Sequence, residues 1–465
     1  MNTSINDGTN NSEHSAWERK LAHHVTSLRY QDLPAHTIVR AKTFILDTLS
    51  VGMAATPLPE SEALLKAIKA DDPGGVVDIW GRQTSLSAPN AILMNAFNVH
   101  CQEYDCVHEG AVVHAMATLL PSLIAQAQVH RPTSGQELIT AVVAGIDVAA
   151  TLGMAANESL QFFRPATAGG FGAVAGLARM RGLTADELVA AWGFQLAQAS
   201  GTMQGHREGS PVLPLQVGFN ARAAWQSCAL AASSIKSLER PLSGPFGYMA
   251  LFERNYSIEP LLDKLGQVWR IDEFSHKPYP SGRATHGGVE GLLNLIGDHQ
   301  LPTQDIESVT VTGPSLISRL VNRPPLKDPS ANYARLCMPY VLAKIMQHHR
   351  LAPQHYSLDE LVDERTFELA QKVQMIVDAN PDPNAFTPQT VEVVMNNGQV
   401  WKTEIQAMLA SEQRPLSRQQ YQAKFEQCCA LAVNPPKSIE SLFNALENLE
   451  TSQDVDPLIK MTTGQ

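Results

Sequence analysis

The residues best suited to chemistry cluster between Asn95 and His114, where the chain reads NAFNVHCQEYDCVHEGAVVH. An apolar stretch runs directly into a segment holding His100, Glu103, Asp105, His108 and Glu109, and His114 follows before the next apolar run. Burying such groups costs several kcal/mol unless they pair or shift their pKa. Imidazoles and carboxylates held close together between helices are what proton transfer near neutral pH requires. The same composition also fits a solvated interhelical loop or a helix-capping network. His100, Cys101, Asp105, Cys106, His108 and His114 include metal-ligating types, but their spacing matches neither C-x-x-C nor H-E-x-x-H, so no metal is expected.

A second group lies at His276 to Gly288, HKPYPSGRATHGG. Two prolines and a glycine make a rigid turn, which leads into a helix near Val289. Lys277, Arg283 and His286 around a helix N-terminus would form a corner for a carboxylate, since free amides and the helix dipole add to the positive charge. A basic interdomain turn making salt bridges is the competing reading. Weaker signals are the glycines Gly169 to Gly176, which fail the dinucleotide-loop spacing and suit close helix packing. The segment around His206 (GHREGS) reads as a surface loop unless the fold turns it inward. Tyr340, beside Pro339, reads by default as a core residue.

These groups need a large scaffold to hold them. The chain has 465 residues, 44% of them hydrophobic, enough for at least two domains with buried cores. Its formal net charge of −11, with no Lys/Arg run, argues against nucleic-acid or membrane-surface binding. The 6 cysteines form no framework and read as reduced thiols of a cytoplasmic protein. The first fifteen residues lack a basic start and an apolar stretch, so they read as an unstructured tail and not a signal peptide. Ala111–Val129 and Leu138–Ala156 are apolar, but His114, Pro121 and Asp147 within them favour buried helices over membrane spans.

Helical periodicity dominates from Trp17 to about Ser237. Helices are expected at Ala35–Ala54, from Ser87 to about Val99, and over Ala111–Gln128, Gly135–Met154, Gly172–Met180, Ala185–Ala199 and Gly218–Ala232. Glu307–Gly313 alternates like a strand, and Thr390–Ile405 reads as a hairpin turning at Asn397-Gly398. After Pro415 an apolar stripe, Ile439, Leu442, Phe443, Leu446 and Leu449, begins behind the N-cap candidate Ser438. The fold class expected is mainly α: a helical domain at 14–267, a smaller α+β lid at 268–405, and C-terminal helices at 406–465 returning to the helical domain.

These segments together resemble the MmgE/PrpD family, which includes 2-methylcitrate dehydratase, cis-aconitate decarboxylase and iminodisuccinate epimerase. The resemblance rests on RAKTFILDTLSVGMAA, NAFNVHCQEYD, TAGGFGAVAGLARMRGL, KPYPSGRATHGGVEG and LCMPYVLA, and it spans nearly the whole chain. It implies a site between helical domain and lid, a homodimer, and no metal or organic cofactor. Asn95, His100, Asp105, His114, Lys277, His286 and Tyr340 match the family's pattern. Glu103, Cys106 and Val107 replace an aspartate, an aspartate and a threonine, and Ala115 replaces a proline. Arg164 stands where a histidine is expected, and the lysine expected before Gly218 is missing from the Leu213–Gln216 region.

The expected activity is that of a cofactor-independent lyase, a dehydratase or decarboxylase, acting on a small di- or tricarboxylate. An epimerase and an inactive carboxylate-binding homologue are the alternatives. Lys277, Arg283 and Arg164 are expected to bind carboxylates, with Glu103, His100 and His206 as further substrate-binding positions. Asp105 or His114 would move the proton at carbon, with His286 or Tyr340 as the opposing acid.

Overall fold

The structure, a computed structural model, describes residues 11–465. The leading tail read from the first fifteen residues falls outside the described residues up to position 10; the rest of it opens the helix Asn11–Ser27. The fold is mainly α with a smaller α+β part, as its sequence periodicity leads one to expect.

Two hydrophobic cores form. The larger gathers side chains from Trp17 to Phe274 and, from the end of the chain, Phe425, Phe443 and Ile459. Its centre is the pair of helices Gly135–Met154 and Arg164–Met180. They approach closely because glycines meet: a Cβ on Gly145 would stand 2.8 Å from the Gly172 carbonyl, and one on Gly172 would stand 2.5 Å from the Gly145 carbonyl. Ser134 caps the first helix by accepting the Glu137 amide.

Gly135–Met154 is long and apolar enough to cross a membrane by composition, yet 89% of that window is buried inside the protein. Its Asp147 accepts the Arg270 amide at 3.0 Å and contacts His24 at 2.8 Å. A carboxylate so placed marks a core helix. Ala115–Val129 is buried along nearly its whole length and begins four residues later than its apolar run, because Val107–His114 is bent into a small β-structure. Two further helices start earlier than expected, at Arg164 and Val212, each accommodating a proline near its first turn.

The smaller core runs from Ala284 to Met408, with Val112 reaching in from the helical part. Its sheet orders the strands Val373–Val377, Ile306–Gly313, Gln389–Met395 and Val400–Ile405. The first pair is parallel and the others antiparallel. Gln389–Met395 alternates buried and half-buried residues, and Gly398, at φ +82°, closes the hairpin. The helix His286–His299 packs on this sheet, where a Cβ on Gly291 would fall 2.5 Å from Val391.

A two-stranded antiparallel ladder, Val107–His108 against Phe274–Ser275, ties to the helical body the segment that leads into the smaller one. It joins the two segments singled out for chemistry.

Candidate active site

The helix Ala88–His100 carries an apolar face into the core and delivers His100 at its last turn. Beyond it the backbone turns sharply: Glu103 and Val112 both adopt φ +51°, a left-handed conformation costly for non-glycine residues. Contacts from several elements hold this strained loop. Lys277 Nζ donates to the Glu103 carbonyl at 3.2 Å and to its Oε2 at 2.8 Å. Lys424 Nζ donates to the Tyr104 carbonyl at 2.9 Å, and Arg335 Nη1 to the Cys101 carbonyl at 3.2 Å. His108 Nδ1 accepts the Ala111 amide at 3.0 Å while Nε2 contacts Glu273 at 2.8 Å, so His108 secures the turn.

Inside the loop, one oxygen of Asp105 serves two imidazoles. His100 Nδ1 lies 2.9 Å from Asp105 Oδ2, and His114 Nδ1 lies 3.2 Å from the same atom, out of line for a well-formed hydrogen bond. All three side chains are buried. Burial favours the neutral form of His100, but the adjacent Asp105 charge and hydrogen bond outweigh it and raise the pKa. Burial wins at His114, which falls below the ordinary imidazole value despite Asp105. Burial likewise opposes ionisation of Asp105, but His114 and His100 hold it well below the usual carboxylate range. Glu103 is buried too, yet Lys277, then His100 and His114, pull it down to about 2.

His100, Glu103, His114, His206 and Arg283 line one chamber of about 60 Å³ at the seam between the bodies, with Val112, Phe163 and Phe386 among its apolar walls. Lys277 reaches this group through its ion pair with Glu103. Arg283 Nη2 lies 2.7 Å from Glu109 Oε1, and its Nη1 donates to His286 Nδ1 at 3.2 Å. His286 Nε2 is 3.3 Å from the Ser281 carbonyl, which makes it the donor there and leaves Nδ1 as acceptor. Burial, then the charges of Arg283 and Lys277, keep His286 well below its ordinary pKa. It therefore holds Arg283 as a neutral ring and is a poor proton donor at pH 7. The helix start foreseen at this corner exists, but Glu109 answers its positive charge.

Two expected site residues stand elsewhere. Arg164 makes a buried ion pair, Nη2 to Glu253 Oε2 at 3.0 Å, with Nε also donating to that carboxylate. A buried guanidinium needs such a counter-charge, and the partner lies 89 residues away, invisible to local pattern. Tyr340 belongs to the lid core, where its hydroxyl donates to the His355 carbonyl at 2.8 Å and burial pushes its pKa up. His206 is turned inward and accepts Arg323 Nη2 at Nδ1, 3.0 Å away. Arg323 was missed because it lies in the Pro-rich Asn322–Ser330 stretch. Glu109 was in view but unassigned. Cys101 is a buried thiol pushed up to about 12, unsuited to nucleophilic work.

Asp105 with its two imidazoles can share and move a proton, and Lys277 and Arg283 can answer negative charge. His100, Asp105 and His114 also bring one ligand atom each within 4.8 Å of one another, near enough to hold a cation.

Comparison with known proteins agrees along the length of the chain. Residues 19–261 match the MmgE/PrpD N-terminal domain and residues 279–448 the MmgE/PrpD C-terminal domain. The cis-aconitate decarboxylase-like protein oryM of Aspergillus oryzae is 24% identical, the match covering 96% of this chain and 97% of that protein. Cis-aconitate decarboxylase of Aspergillus terreus is 23% identical over 95% of both chains. The Mus musculus cis-aconitate decarboxylase is 23% identical over 95% of this chain and 92% of its own. With both domain models matched in order around a shared seam, the chain belongs to the MmgE/PrpD family.

Proposed function

We propose that the protein is a lyase that acts on a small di- or tricarboxylate by proton transfer at the carbon next to a carboxylate, without an organic cofactor or metal. The observation that carries this reading is two buried imidazoles on one carboxylate oxygen, 2.9 and 3.2 Å away, shifted in opposite directions: burial lowers the pKa of His114, while the Asp105 charge raises that of His100. Titratable pairs pushed apart by their surroundings mark the base and the acid of a site.

In this reading His114 is the base, one of the two candidates for that role, and His100 takes the role of acid in place of His286 or Tyr340. For dehydration, His114 takes the proton from carbon, the C–O bond breaks, and His100 gives its proton to the departing hydroxide to form water. For decarboxylation, the C–C bond electrons pass onto the remaining carbon framework as CO2 leaves, and His100 protonates that carbon. Lys277 and Arg283 offset the charge that develops. The names of the relatives favour the loss of CO2. Return of the proton on the opposite face would give an epimerase from the same groups.

The test is to incubate purified protein with cis-aconitate, citrate, 2-methylcitrate and succinate-derived hydroxy and imino acids, following products by NMR. Turnover lost in both His100→Asn and His114→Asn supports the assignment. Turnover intact in both sinks it, and thermal stabilisation by these acids without product favours an inactive binding homologue. A homodimeric, cytoplasmic enzyme is part of the proposal, with light scattering on the eluted protein as the check on its assembly.

A further inference from the structure

Outside the chamber lies a wider cleft of about 770 Å³ that shares Leu160, Met203, His206 and Leu320 with it. Its wall holds Arg207, Arg319 and Arg323 and no aspartate or glutamate, in a chain whose net charge is −11. Arg164 and Arg283 have carboxylate partners; among the described residues, none of the three cleft arginines forms an ion pair. Arg207 and Arg319 are exposed, and Arg319 Nη2 donates to the Pro383 carbonyl at 2.6 Å.

Arg323 is different, being only 9% exposed. Its Nη2 donates to His206 Nδ1 at 3.0 Å, its guanidinium rests 5.2 Å from the Tyr333 ring centre, and its buried Nη1 has no hydrogen-bond partner among the described residues. His206 gives it no counter-charge, because burial and then Arg323 itself push that imidazole down to about 3. A desolvated guanidinium with a spare donor and no anion is costly. The cost is offset when a ligand supplies the anion.

We infer that the cleft receives a second carboxylate of the substrate, with Arg323 as its anchoring cation and Arg319 and Arg207 as flanking cations. This rests on the reading of the chamber as the reaction site for a carboxylate. The chamber then takes only the reacting end, and the substrate passes His206 to reach Arg323. Arg323 thereby selects for chain length and for a distal negative charge.

The test is calorimetric binding of tricarballylate, an unreactive tricarboxylate, against butyrate, which has one carboxylate. Wild-type protein should bind tricarballylate at least tenfold more tightly than butyrate. Arg323→Gln should weaken tricarballylate about 10- to 100-fold and leave butyrate unchanged, as expected for loss of a charge-assisted donor pair. Arg319→Gln and Arg207→Gln, exposed and free of structural contacts to acids, should each cost a few-fold, vanishing at high salt. These two variants and Arg323→Lys, which should restore part of the affinity, carry the test if Arg323→Gln does not fold.

Tricarballylate affinity unchanged in Arg323→Gln and in both exposed variants overturns the inference. So does an equal loss for butyrate, or inorganic phosphate binding through Arg323 more tightly than tricarballylate. Absence of turnover with every carboxylate would sink the lyase reading alone, since Arg323-dependent tricarballylate binding can be observed without it.

Discussion

His100 and His114 meet over a single carboxylate oxygen: their ring centres lie 5.0 Å apart at 66°, and their Nδ1 atoms stand 2.9 and 3.2 Å from Asp105 Oδ2. One buried negative charge cannot stabilise two imidazolium ions equally, so a proton held by one ring disfavours a proton on the other. The pair titrates as a unit.

Asp105→Asn preserves shape and removes that charge. His100 should then lose its proton at neutral pH, and kcat should fall about 10²- to 10⁴-fold, the usual worth of positioned acid–base catalysis. Steady-state kinetics beside a thermal melt check this, and an unaltered kcat would remove Asp105 from the mechanism.

The pH dependence follows from the two directions. His114 works unprotonated and sits below the ordinary 6.5, so activity is lost as pH falls through its depressed pKa. His100 works protonated and sits above 6.5, so activity is lost as pH rises through its elevated pKa. A bell-shaped kcat/KM profile bracketing 6.5 is expected. Lack of an alkaline limb would argue against His100 as the acid.

Glu103 and Lys277 make a stability prediction. The Glu103 pKa drops from 4.5 to about 2, so its contribution is complete above 4.5 and is lost as pH falls through about 2. On linkage that contribution is about 3 kcal/mol. Lys277→Met strands the carboxylate and should destabilise by about 3–5 kcal/mol. Adding Glu103→Gln should recover part of the loss. Urea melts of the single and double variants decide, and no recovery would mean the ion pair is not what Lys277 contributes.

Tyr340→Phe should leave kcat within about twofold and cost about 1 kcal/mol of stability, because the hydroxyl serves the His355 carbonyl. A fall in kcat of a hundredfold with the fold intact would return Tyr340 to the reaction.

Dialysis against EDTA should leave turnover unchanged. Loss of activity restored by zinc would instead make His100, Asp105 and His114 ligands, a use that their closeness in the folded chain allows although their sequence spacing does not suggest it.

Local pattern carried much of this fold. The helix Ala35–Ala54 and the Asn397-Gly398 hairpin were legible because periodicity and turn chemistry act within a few residues. The edge strand Val373–Val377 was not, since it pairs in parallel with a strand more than fifty residues earlier and buries few of its side chains. The candidate site divides the same way. His100, Asp105 and His114 are near neighbours in sequence and could be grouped by eye. What Arg164 and Arg323 do depends on Glu253 and His206, distant partners chosen by tertiary packing. His286 and Tyr340 fit a family pattern, but a matching residue type says nothing about which way its proton points.

The short ladder of Val107–His108 with Phe274–Ser275 has a consequence for cooperativity. Val107 and His108 pair with Ser275 and Phe274, and Lys277 follows at once to fasten Glu103. The reactive loop is thus held by the same contacts that anchor the segment leading into the smaller body, and releasing that segment dismantles the loop in a single event. Amide protons of residues 103 to 114 should therefore exchange with solvent in step with those of 274 to 277, as one unit distinct from the glycine-locked helices at the core.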